Sequence, residues 1–180
     1  MKSICVIGSG ISGSTIANLL SKKYKVDVYE KAKGIGGRSS HRRYLNKLGF
    51  DHGLQYISPK TSKFEKFCSR LQKKRVLKKW QGPHKFDHSK VLENKKHTKL
   101  IGAKGNNAIS KYLLKNINCI FGYELFKIER IRKNWKLSFL NGDVKYYEIL
   151  IISITFAQSK KLLKKFLPNF FKNKNVKMEA

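Results

Sequence analysis

The chain has 180 residues, 41 % of them hydrophobic and 12 % aromatic, enough for one domain with a buried core and too apolar for a wholly disordered chain. Forty Lys+Arg against eleven Asp+Glu give a formal net charge of +29, which excludes an acidic solvating tail and attracts any polyanion. Only seven of the forty are Arg, and lysine is spread along the whole chain, so compositional drift accounts for the charge and no specific nucleic-acid partner is expected.

In chain order, Ser3 to Ile7 is a short apolar run with β-branched members, the pattern of a buried parallel strand. Gly8-Ser9-Gly10-Ile11-Ser12-Gly13 follows at once. A helix is expected from Ser14 to Lys23, with Ile16, Ala17, Leu19 and Leu20 at helical spacing, and a second strand from Tyr24 to Glu30. Lys31 to Phe50 is polar and glycine-rich and is expected to be a loop, and Asp51 to Ser58 a turn leading into a strand. Phe64, Phe67, Cys68 and Leu71 predict an amphipathic helix over Lys63 to Gln72. Val76 to Leu100 reads as strand pieces between polar turns, Gly82-Pro83 among them. Ala108 to Leu114 reads as a helix capped by Asn106 or Asn107. Strands follow at 117–121, 124–132 and 135–140, then a hairpin turn at Asn141-Gly142-Asp143, a strand over Tyr146 to Ile154, and a basic helix from Gln158 to Phe166 that stops near Pro168.

Cys5, Cys68 and Cys119 are far apart and odd in number, and no CxxC occurs, so neither a disulfide framework nor a zinc site is expected and a reducing cytoplasm is the default. His84 and His88, with Cys68, are read as scattered surface residues; no metal is expected. The run after Met1-Lys2 is broken by glycine and serine, with no convincing small-residue cleavage site after it, so no signal peptide is expected. Ile149 to Phe156 is far too short to cross a bilayer as a helix.

The glycine motif carries the chemistry. A dinucleotide pyrophosphate needs backbone N–H groups and a helix N-terminus brought close to it. Gly8 permits the tight turn, Gly10 leaves room for phosphate, and Gly13 lets the helix pack on the sheet. Glu30, 20 residues after Gly10, ends the second strand where a carboxylate can accept ribose hydroxyls, and it would repel the 2′-phosphate of NADP. These residues leave NAD and FAD both open.

Further blocks extend the pattern. Tyr29-Glu30-Lys31-Ala32-Lys33-Gly34-Ile35-Gly36-Gly37-Arg38 resembles the E-K…GGR signature of the flavin-containing amine oxidase superfamily. Phe50-Asp51-His52-Gly53-Leu54-Gln55-Tyr56-Ile57 is similar to the D-x-G-x-Q-Y segment of its renalase-like branch, and Ile101 to Ala108 resembles a G-x-P-G-M-x-A block. The strands from Leu125 to Glu148, and the stretch ending at Gln158, complete a resemblance that runs nearly the whole chain in order. It departs from the family pattern at Asn106 (usually Met), Thr155 (usually Pro) and Glu148 (usually Asp).

The resemblance implies an α/β fold: a Rossmann-like FAD-binding domain with part of a mixed-sheet substrate domain. It places the βαβ unit and GGR loop at 1–58, the start of a substrate-domain insertion at 59–104, a return to the FAD-binding domain at 105–168, and a further substrate-domain segment from 169–180. Asn175 to Ala180 resembles the opening of another substrate-domain strand, so the chain is expected to be an N-terminal portion lacking a C-terminal half or a partner chain.

Carried over by residue, Gly8, Gly10, Ile11, Ser12 and Gly13 surround the FAD pyrophosphate, and Glu30, with Lys31 beside it, holds the adenosine ribose. Gly37 and Arg38 lie against the pyrophosphate and ribityl part, a guanidinium suiting phosphate geometry. Gly53, Gln55 and Tyr56 lie near the isoalloxazine ring, and the backbone of Leu125 contacts adenine. His52 is read as a loop-positioning residue. No catalytic residue is assigned, because the flavin carries the chemistry. The implied activity is hydride transfer from an amine or a dihydronicotinamide-type small molecule to flavin. The rival expectations are an inactive FAD-binding remnant and a basic nucleic-acid-binding module.

Overall fold

The computed structural model describes residues 1–44, 48–81 and 98–172. The chain divides into two compact units: Met1–Ile35 with Leu113–Ala180, and Gly36–Tyr112.

The first unit is built on a parallel sheet. Strand β1 (Ser3–Ile7) and strand β2 (Lys25–Glu30) flank the helix α1 (Ile11–Leu20), and β7 (Asn118–Phe121) and β11 (Ile149–Ile152) complete the order β11-β1-β2-β7. All three pairings are parallel, with Val6 beside Val28 on one side and Ile151 on the other. Side chains alternate across a strand, so an apolar run buries both faces at once. Ile4, Val6, Val26 and Val28 are buried on one face with Ala17 of α1 and Leu114. Cys5, Ile7 and Tyr29 are buried on the other, against an antiparallel sheet of β8 (Leu125–Ile131), β9 (Asn134–Phe139) and β10 (Val144–Tyr147). That second sheet contributes Leu125, Ile128, Leu137, Phe139 and Tyr147 to the core.

The sequence predicts one strand over Tyr146 to Ile154, and the structure divides it at Glu148. β10 pairs antiparallel with β9, whereas β11 pairs parallel with β1. A reciprocal tie holds the chain there: the Ser3 N–H donates to Glu148 Oε2 at 2.9 Å, and the Glu148 N–H donates to Ser3 Oγ at 3.3 Å. The chain changes sheets at that point. The turn at Asn141-Gly142-Asp143 forms as expected, with the Gly142 N–H donating to the Phe139 carbonyl. Helix α1 begins at Ile11, earlier than its apolar spacing indicates. The last predicted helix starts at Phe156 (α4, Phe156–Leu163), and Pro168 opens a further helix (α5, Pro168–Lys172) at the position where its missing N–H costs nothing.

In the second unit the expected loop over Lys31 to Phe50 contains a 3₁₀ turn (Gly37–Ser39) and a hairpin of β3 (His41–Tyr44) and β4 (Leu48–Asp51). Tyr44, Leu48 and Phe50 are exposed, so the hairpin buries no face that an apolar alternation would reveal. Helix α2 (Ser62–Lys73) starts at Thr61, whose Oγ1 accepts the Phe64 N–H at 3.3 Å, and buries Cys68 and Leu71. β5 (Leu77–Lys79) pairs with β6 (Leu100–Gly102), and Ile57 bridges to Leu100 through both backbone bonds. Helix α3 (Ala108–Leu113) follows. The strand pieces and turn expected over Gly82 to His97, the histidines His84 and His88, and the segment Asn175 to Ala180 lie outside the described residues.

Candidate functional site

Strand β1 delivers the chain to Gly8, whose φ of +101° lies in the region that favours glycine. A Cβ there would stand 2.5 Å from the Ser153 carbonyl oxygen, at the end of β11. A Cβ on Gly13 would stand 1.9 Å from the Gly8 carbonyl oxygen. The turn is therefore closed from two sides, and only hydrogens fit between helix start and strand end. Gly10 is the N-cap of α1; no side chain caps the helix and no acidic residue stands in its first turn. The orphan N–H groups of Ile11, Ser12 and Gly13 and the positive end of the helix dipole make an anion receptor there. Ile11 and Ser12 are exposed, and Gly13 is buried.

Glu30 ends β2 beside this turn and is 8 % exposed. Its Oε2 accepts the Ser9 N–H and the Ser9 hydroxyl, each at 2.8 Å, and its Oε1 accepts the Ala32 N–H at 2.9 Å. The carboxylate thus fixes the x of G-x-G to the end of the neighbouring strand and keeps a further lone pair on Oε1. Ser14 adds a second brace, its hydroxyl donating to the Ser9 carbonyl at 3.0 Å. Lys31 is exposed just beyond. The Tyr123 N–H donates to the Glu30 carbonyl at 3.0 Å, which brings the loop into β8 to the same end of the sheet; Leu125 itself is buried opposite Phe139. Gly8, Glu30, Ser153 and the loop after Phe121 all stand at the carboxyl ends of parallel strands, where open α/β sheets bind ligands.

Deeper in this unit, Asp27 is buried and accepts from Tyr147 Oη at 2.8 Å and from Asn118 Nδ2 at 2.7 Å. Tyr147 has one proton and gives it to Asp27, so Tyr29, 3.0 Å away, donates to the Tyr147 oxygen. Burial first, then the bonds to Tyr29 and Asp27, raises the Tyr147 hydroxyl well above the usual tyrosine range. The three cysteines are free thiols. Burial raises Cys5 and Cys68, and burial followed by the nearby Glu30 pushes Cys119 up to about 11. All three are thus protonated at neutral pH and poor nucleophiles. Among the described residues no group of three or more His, Cys, Asp and Glu side chains could hold a metal ion, and no helix is long and apolar enough to cross a membrane.

The second unit holds the other predicted residues. Gly37 and Arg38 form the 3₁₀ turn, and the Arg38 side chain is exposed. The Leu54 N–H donates to the Arg38 carbonyl at 2.9 Å, setting Gly53 against it. Gln55 is exposed. Tyr56 is half-buried, edge-on to Trp80 at 5.9 Å between ring centres, with Lys99 Nζ 4.5 Å over its ring. His52 meets Ser40 Oγ at 2.9 Å, whereas Asp51 meets His41 Nδ1 at 3.0 Å.

The residue that organises this unit was read from sequence only as a helix cap or a family departure. Asn106 is fully buried. Its Oδ1 accepts the Gly102 N–H at 2.9 Å, and its Nδ2 donates to the carbonyls of Leu54 at 2.6 Å and Gln55 at 3.2 Å. Its own N–H donates to Asp51 Oδ1 at 2.8 Å. One amide therefore pins the 51–55 segment to the turn after β6. The only sequence signal is an Asn inside the glycine-rich stretch Ile101 to Ala108.

Residues 6–71 match the family model described as an NAD(P)-binding Rossmann-like domain. The solved structure of tetracycline destructase Tet(51) is similar, with a TM-score of 0.60 at 15 % identity over 91 % of this chain and 41 % of that one. A protein assigned as a protoporphyrinogen oxidase from Exiguobacterium sp. 255-15 is similar with a TM-score of 0.69 at 10 % identity, over 95 % of this chain and 63 % of that one. The chain thus spans less than two thirds of the length of either structure. The parallel sheet, the glycine turn and these likenesses together give the chain a mixed α/β fold with a Rossmann-like dinucleotide-binding domain.

Proposed function

We propose that the chain binds FAD and belongs to a flavin-dependent oxidoreductase of the amine-oxidase and renalase-like type. One observation carries the reading. An uncapped helix start, closed against its strand so tightly that Gly8 and Gly13 admit no Cβ, stands beside a buried carboxylate at the carboxyl end of a parallel sheet. A pyrophosphate fits the first feature and ribose hydroxyls the second. The family resemblance of the Glu30 to Arg38 segment favours FAD over NAD, and one of the two similar structures is named an oxidase.

Gly8, Gly10, Ile11, Ser12 and Gly13 would hold the pyrophosphate, Glu30 the ribose, and the backbone of Leu125 the adenine. Gly37, Arg38, Gly53, Gln55 and Tyr56 are the further contacts that the resemblance implies. Bound FAD supplies hydride acceptance and electron transfer. The protein's part is to bind and orient. The substrate is a small molecule, oxidised next to nitrogen.

The test is titration of the purified chain with FAD and, separately, with NAD. Saturable quenching of flavin fluorescence, abolished by Gly13→Val, is expected. No FAD binding, or tighter binding of NAD, overturns the reading.

A further inference from the structure

The groups of a dinucleotide and the strand ends of the first unit run in the same order. The sheet runs β11-β1-β2-β7, and neighbouring strands lie about 5 Å apart. The anion receptor at the start of α1 stands past the end of β1, and the Glu30 carboxylate ends β2. A pyrophosphate on the first and a ribose on the second set a direction across the sheet. In an adenosine diphosphate the next group is the base, and the next strand end is that of β7.

β7 ends in Phe121. It is the register partner of Glu30 in the parallel pair, so both side chains leave the same face of the sheet. Cys119, two residues earlier, packs against the cluster of Val26, Val28 and Ala17 of α1, which makes that face the one where the helix lies. Phe121 is 39 % exposed, although Cys119 and Ile120 before it are half-buried. The loop after it is tied to the end of β2: the Gly122 N–H donates to the Ala32 carbonyl at 3.4 Å and the Tyr123 N–H to the Glu30 carbonyl at 3.0 Å. Among the described residues no atom lies within 4 Å of where a Cβ on Gly122 would stand. The backbone is thus fixed beside Glu30, with a solvent-facing ring on it and open space at the next residue.

We propose that Phe121 is the adenine platform of the cofactor site, the purine stacking on its ring while Glu30 holds the ribose. A purine offers a flat π face, which an aromatic side chain takes without any hydrogen bond. The proposal rests on the dinucleotide reading of the glycine turn, and it concerns only the adenosine half that FAD and NAD share. The backbone of Leu125, which the family resemblance sets at the base, would meet the edge of the purine, and Phe121 its face.

ADP carries that half alone, so titration of the full chain with ADP is the test. Phe121→Ala should weaken ADP binding about tenfold. Phe121→Trp should keep the affinity. The emission of the indole it introduces, read against the parent chain with its own Trp80 and Trp135, should be quenched as ADP binds. A merely distorted strand end would give the loss without that quenching. An ADP affinity unchanged in Phe121→Ala, or bound ADP that leaves the emission of Phe121→Trp responding as the parent does, overturns the proposal while the dinucleotide reading stands. A parent chain that takes up neither ADP nor FAD overturns both.

Discussion

In the first unit, β1 and β2 send Ile4, Val6, Val26 and Val28 to one apolar layer and Cys5, Ile7 and Tyr29 to another, and the polar groups between the sheets gather at Asp27. The second unit has two-stranded pairs, a hairpin with exposed aromatic tips, and a junction that one buried amide holds. The first resists change because its stability is spread over many contacts. The second leans on Asn106, whose side chain holds the carbonyls of Leu54 and Gln55 beside the backbone bonds of Leu54 and Ile57.

The strongest test of that contrast is Asn106→Leu. It keeps the bulk but leaves the Gly102 N–H and the carbonyls of Leu54 and Gln55 without partners, at roughly 1–3 kcal/mol for each buried group. Hydrogen exchange should show residues 54–57 and 100–102 losing protection while β1 and β2 keep theirs. Equal loss in both units would break the comparison.

Gly13→Ala should cost about 1–3 kcal/mol, or more because the obstacle is backbone, and should weaken FAD binding in parallel. Thermal unfolding and FAD titration check the two effects. A variant as stable as the parent would mean that the turn relaxes freely.

Tyr147→Phe removes one of the donors to Asp27 and the acceptor for Tyr29, at about 1–2 kcal/mol by urea denaturation. Its effect should spare FAD affinity, because the substitution leaves intact the backbone bond from the Gly8 N–H to the Tyr29 carbonyl that ties the glycine turn to β2.

The smallest effect concerns pH. Cys119 is raised from 9.0 to about 11, so between those values the folded chain keeps a proton that the unfolded chain releases. Stability therefore falls as pH rises through that window. Cys119→Ala should flatten the slope of urea midpoint against pH from 9 to 11; an unchanged slope would refute the raised thiol.

Legibility followed that divide only in part, since one of the illegible features, the break at Glu148, lies in the first unit. The strands of the parallel sheet and the glycine turn were readable because buried strands are apolar and because a pyrophosphate site dictates residue types at fixed spacing. The β3–β4 hairpin was not, since Tyr44, Leu48 and Phe50 face outward and no alternation marks them. The break at Glu148 was not, since the residue that ties it, Ser3, is 145 residues away. Asn106 was visible as a residue and invisible as a hub, because its partners are backbone groups, which every sequence possesses.

The pairing of β1 with β11 also sets a schedule for synthesis. β1 leaves the ribosome long before its partner over Ile149–Ile152. Until then Ile4 to Ile7 have β2 on one edge and nothing on the other, with the layer that buries Cys5 and Ile7 still unmade. Non-local pairings of this kind close slowly and leave apolar strand edges open meanwhile. The nascent chain therefore carries an open apolar strand edge from the emergence of β1 to that of β11, and a pause within that interval would lengthen the exposure more than one after it.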